Sequence, residues 1–184
     1  MATAKTGSFY LTESVELEAA LANGLRRTGT IDLGAYVNVP TGQAIAIDSV
    51  DFVFQESPDF GGCVGTMLAG NGAITAQLVD LNPGNAFVRA DDASLIASGS
   101  LNIDQSNNIA THTSDLYPDN YGPTSLSEAF MVVNDTLYLT CGPDGVDMAP
   151  LQGTFVTARI RARVVKLSSK DWMAIAIQST AADS

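Results

Sequence analysis

Apolar and polar residues alternate along this chain in short runs, and each run ends in a cluster of Gly, Pro, Asn or Asp. Successive side chains of an extended strand point to opposite faces, so a period of two buries one face and wets the other. Turn-forming clusters between such runs predict an all-β protein. Ile31, Leu33, Ala35 and Val37 share one face of an expected strand that stops at Pro40-Thr41-Gly42, where Pro fixes φ and Gly admits positive φ. In the segment 43–55, Ile45 and Ile47 set one phase while Val50, Phe52 and Phe54 set the other. A change of phase within one strand predicts a bulge or bend near Asp48-Ser49.

Further strands are expected at 73–81, 93–103, 129–141, 154–167 and 172–178, with a weaker one at 86–89, for about eight in all. Asn82-Pro83-Gly84-Asn85 and Cys141-Gly142-Pro143-Asp144-Gly145 read as turns, and residues 58–72 as a mobile or tightly turning connection. Residues 104–127 read as one long polar loop holding His112, Tyr117 and Tyr121, and loops of that length commonly contact a neighbour. Residues 11–24 admit two readings. Thr12 suits a helix N-cap with Glu13 and Glu16 in the first turn and Gly24 just past the end, yet Val15, Leu17, Ala19 and Leu21 alternate with period two. A short helix is the expectation.

The charge is unevenly spread. From Thr28 to Ala158 the only cation is Arg89, against fifteen acidic residues, and the formal net charge of the 184-residue chain is -11. A general electrostatic grip on nucleic acid or an anionic membrane is therefore not expected. Five of the nine cations fall between Arg159 and Lys170, and Arg159, Arg161 and Arg163 alternate with Ala158, Ile160, Ala162 and Val164. Period two places the three guanidinium groups on one strand face with the core on the other. Three uses suit that stripe: pairing with Asp or Glu on adjacent strands of the same subunit, bridging to the acidic surface of the next subunit, or facing a polyanion.

Signals for catalysis are sparse. His112 is the only histidine, in a Thr-His-Thr context that reads as surface, and no GxSxG elbow marks a nucleophile. No enzymatic activity and no cofactor are expected. Asp91-Asp92 and Asp144-Gly145-Val146-Asp147 offer oxygen ligands that leave room for a structural Ca²⁺, although the EF-hand spacing is missing. Cys63 and Cys141 lack CxxC spacing, which argues against zinc and leaves two free thiols or a pair that the fold brings together. Asn134-Asp135-Thr136 is a glycosylation sequon inside an expected strand and is read as coincidental. The first eight residues carry one cation and no apolar run, and nowhere do 18 consecutive apolar residues occur, so neither a signal peptide nor a membrane span is expected.

About eight short strands in a chain of this length fit a single jelly-roll β-sandwich, with an immunoglobulin-like sandwich as the nearest competitor. Residues 1–27 are expected to form an N-terminal arm or short helix and residues 28–184 the sandwich domain. In Ile31-Asp32-Leu33-Gly34-Ala35-Tyr36-Val37 leading into 45–54, and in Val164-Val165-Lys166-Leu167-Ser168-Ser169-Lys170-Asp171-Trp172, the chain resembles the single jelly-roll capsid proteins of icosahedral viruses. The resemblance implies a structural subunit that self-assembles into an icosahedral shell, made in the host cytoplasm and located in the virion. Its implied partners are identical subunits and minor capsid proteins. Subunit-contact candidates are Arg159, Arg161, Arg163, Tyr117 and Tyr121. One departure from the family pattern bears on genome packaging: residues 1–30 contain only Lys5, Arg26 and Arg27 in place of an arginine-rich arm. The alternative is a carbohydrate-binding jelly-roll module or virion attachment protein, stacking sugars on Tyr117, Tyr121 or Trp172.

Overall fold

The computed structural model describes residues 2–114 and 129–181. Its strands are β1 (Thr3–Ala4), β2 (Phe9–Leu17), β3 (Arg27–Asp32), β4 (Gln43–Glu56), β5 (Gly72–Val79), β6 (Leu95–Asp104), β7 (Ile109–Ser114), β8 (Phe130–Val132), β9 (Thr136–Asp144) and β10 (Thr154–Lys166), followed by helix α1 (Ser169–Ala181). They form two antiparallel sheets. In sheet I both β1 and β2 pair with β10, which pairs with β4, which pairs with β8. Sheet II runs β3-β9-β5-β6-β7. The chain crosses between sheets at six of the nine connections between these strands, so strands distant in sequence become neighbours, and the result is the single jelly roll expected from the sequence.

The core lies between the sheets and is filled from their facing sides by Leu17, Ile45, Ile47, Ile74, Leu78, Leu137, Leu139, Val156 and Ile160, all at 0% exposure. The conflicting phases of 43–55 are reconciled as expected. The ladder steps from Ser49 opposite Arg161 to Ile47 opposite Ala162, leaving Asp48 as the extra residue. Ile45, Ile47, Val50 and Phe52 thereby all face the core.

Several expected elements take another form. The helix expected within 11–24 is the strand β2, because β10 offers it a ladder from Thr154 to Ala162 and the core takes Val15 and Leu17. Tertiary burial outweighs the cap signal there. The strand expected at 172–178 is helical instead. The Ser168 hydroxyl oxygen accepts the Asp171 N–H at 3.2 Å, an N-cap, and Trp172 N–H bonds Ser168 C=O at 2.9 Å. This helix covers the outward side of sheet I at one end, with Trp172, Ile175 and Ala176 on Ala44, Ala46, Val165 and Leu167. It leaves Met173 and Ile177 exposed. The six consecutive apolar residues 172–177 mask the 3.6-residue period in sequence.

Three boundaries also move. The strand expected at 31–37 ends at Asp32, whose carboxylate accepts the Gly34 N–H at 2.8 Å and starts a turn. Residues 86–89 form no strand; Val88 instead bonds the Gln77 side-chain amide with both its N–H and C=O, strapping this connection across sheet II. The long loop from 104 contains β7, hairpinned onto β6 with Asn108 at φ 53°, and 129–141 splits into β8 and β9 around Asn134. The connection 58–72 is tightly turned, with a 3-10 turn at Val64–Thr66.

Leu17 tests the place of β2. Truncation to Ala at this fully buried position is expected to cost about 2–5 kcal/mol in denaturant unfolding; a cost below about 1 kcal/mol would show that β2 is peripheral to the core.

Candidate subunit-contact face

The three arginines of β10 lie on the side of sheet I turned away from the core, with the alternating Ala158, Ile160 and Ala162 fully buried. Register places Arg159 between Thr12 of β2 and Asp51 of β4, Arg161 between Tyr10 and Ser49, and Arg163 beside Ala46. Their environments differ. An Arg163 Nη donates to Asp48 Oδ1 at 2.5 Å, and the Asp48 side chain is only 4% exposed. The bulge that corrects the phase of β4 thus also supplies this arginine with a counter-ion. Arg159 is exposed and lies over the Tyr10 ring at 5.1 Å, a cation–π contact. Arg161 has no ion pair among the described residues, and its Nε is buried without an acceptor.

The remaining arginines are committed to their own chain. Arg26 pairs with Asp144 at 2.6 Å, donates to Pro143 C=O at 2.9 Å and sits 4.1 Å over the Phe87 ring. Arg27 pairs with Glu18 and, by hydrogen bonding, holds that carboxyl below its ordinary range. Arg89 pairs with Asp91 at 3.1 Å. Among the described residues, Arg159 and Arg161 are thus the arginines without a carboxylate. Intrachain pairing holds for Arg163; the neighbours of Arg159 and Arg161 leave their outward side open.

The other sites expected from sequence are placed as follows. Tyr117 and Tyr121 lie outside the described residues. Trp172, on α1, is half-buried against the cluster of Ala44, Ala46, Val165 and Leu167, with its indole nitrogen buried. His112 is exposed on β7, its ring edge-on to Phe54 at 5.5 Å. The carboxylates read as Ca²⁺ ligands have other partners: Asp91 and Asp144 hold arginines, Asp92 accepts the Ser94 N–H and hydroxyl, and Asp147 accepts the Asn23 N–H. No group of three or more His, Cys, Asp or Glu among the described residues is arranged to hold a metal. Cys63 is exposed, Cys141 is buried, and both are free thiols. The sequence marks Asp48 as a bulge position but not as a counter-ion, and it does not mark Tyr10 as a partner of the stripe. Period two through 9–17 carries the signal for Tyr10, since it sets that ring on the same face as the stripe.

No family model matches the chain, and no curated protein matches it. Among solved structures it is similar to VP1 of Merkel cell polyomavirus in complex with GD1a oligosaccharide, with a TM-score of 0.38, 10% identity, and coverage of 88% of this chain and 98% of that one. It is similar to the unassembled pentamer of the same VP1, with a TM-score of 0.39, 9% identity, and coverage of 89% and 98%. VP1 of trichodysplasia spinulosa-associated polyomavirus in complex with GM1 oligosaccharide gives a TM-score of 0.38 and 8% identity over 86% and 94%.

Two outcomes test these environments. Arg163→Met strands the buried Asp48 charge and is expected to cost about 3–5 kcal/mol, whereas Arg159→Gln should change stability by no more than about 0.5 kcal/mol. Similar losses for both would contradict the burial difference. Burial pushes the Cys141 thiol far up, so a thiol reagent should modify Cys63 alone in the native protein and both cysteines after unfolding.

Proposed function

We propose that this chain is a structural shell subunit, a viral coat protein that assembles with identical copies into an icosahedral particle. The observation that carries the reading is the jelly roll with an outward sheet face that presents two arginines without a carboxylate partner. Composition supports it. Charged residues make up only 16% of the chain, against about 25% in an ordinary soluble domain, so less charge must be desolvated when copies meet. Residues 1–30 hold few cations, and genome packaging is read as depending on another protein, an internal membrane or counterions.

Light scattering of the purified chain across protein and salt concentrations, followed by negative-stain microscopy, tests the reading. Uniform hollow particles or closed rings are expected. A chain that holds its monomer mass under every condition would overturn the shell subunit and direct work to a glycan screen for the carbohydrate-binding module.

A further inference from the structure

Resting on the shell reading, we infer that the Arg159–Arg161 face of sheet I docks head-to-tail on a carboxylate-bearing surface of a second copy of this chain. Arg26, Arg27, Arg89 and Arg163 each pair with a carboxylate of their own chain. Arg159 and Arg161 do not, although they stand side by side on one strand face. A second copy is the occupant that fits. At a net charge of -11 it presents mostly anionic surface, and Glu16, Asp32, Asp59 and Asp135 are exposed carboxylates without an ion-pair partner among the described residues. A planar guanidinium meets a carboxylate in a bidentate fork that an ammonium cannot reproduce.

The site is also prepared for a partner. Both arginines rise from the central strand of a sheet, and the Tyr10 ring beneath Arg159 fixes the direction of its guanidinium. The Arg161 stem is partly buried, with Nε already out of water, so further contact costs less ordering and desolvation.

Charge also bears on the type of contact. Overlapping two copies of the stripe would set arginine against arginine; Glu16 and Asp51 share its face, whereas Asp32, Asp59 and Asp135 lie off it, and these three are the acceptors inferred here. Such heterologous contacts close into rings or continue as filaments, and ring closure is what a shell subunit requires.

The test uses the full chain with Arg159→Glu/Arg161→Glu and Arg159→Gln/Arg161→Gln double variants, measuring sedimentation and melting temperature in low and high salt. The wild type is expected to assemble and to weaken as salt screens the contact. Charge reversal should hold the folded chain at monomer mass, and the Gln pair should raise the concentration needed for assembly about tenfold or more with an unchanged melting temperature. The reversed chain retains its carboxylate surface, so small amounts added to wild type should cap growing assemblies. If the reversed variant assembles like wild type, the contact is overturned while the shell reading stands; if that variant also loses binding to a single-stranded DNA probe, the face serves a polyanion. If the reversed variant misfolds, the Gln pair decides, and a parallel fall in its melting temperature and assembly overturns the contact. A wild type that is monomeric throughout defeats the shell reading and this contact together.

Discussion

The ladder between β10 and β4 determines most of what is seen in this protein. β10 hydrogen-bonds β1, β2 and β4, so the edges of sheet I are arranged around it. Along its inner side Val156, Ala158, Ile160 and Ala162 close the core. Its outer side carries the arginine stripe at the middle and Val165 beneath α1 at the end. A 13-residue strand can serve both sides because β4 adjusts its phase at Asp48 instead of β10. Without that extra residue, either Ile45 and Ile47 or Val50 and Phe52 would face the wrong way. At the end of the same ladder, Gly42 at φ 69° lets the chain approach Leu167 C=O at a distance that a Cβ would not tolerate. Its own carbonyl accepts the Leu167 N–H at 2.8 Å.

Much of this architecture is legible in the sequence wherever a strand buries only one face. Period two marks β4, β5, β6 and β10 within a few residues, and even the Asp48 irregularity appears as a broken phase. The signal fails in three physical situations. Within 169–181 the six consecutive apolar residues 172–177 run round the helix, so no 3.6-residue period stands out, and only the Ser168 cap gives it away. At 9–17 a sound N-cap competes with a strand pattern, and the free edge of β10, which decides the matter, lies more than 130 residues further on. At 86–89 a strand-like composition serves a connection held by the side chain of Gln77.

The candidate site divides in the same way. Alternation is enough to put Arg159, Arg161 and Arg163 on one face. It does not tell which arginine has a counter-ion, because Asp48 reaches Arg163 only through a bulge that shifts it out of register. Nor does local sequence pair Arg26 with Asp144 and Phe87, residues drawn from three segments far apart in the chain. The local charge balance of this acidic chain is thus a product of topology: most arginines are neutralised at home, and the guanidinium groups without a carboxylate are concentrated on one strand.

The position of β10 in the chain has a temporal consequence. A polypeptide is made from its N-terminus, and pairing across long sequence separations is slow because the loop-closure entropy comes first. Until Thr154–Lys166 has been synthesised, β2 and β4 have no shared neighbour, and the surface bearing Arg159 and Arg161 does not exist. Folding of sheet I and creation of its charged outer face are therefore one late event. Two half-made chains therefore cannot form this contact with one another, and the order of synthesis itself delays association through the face.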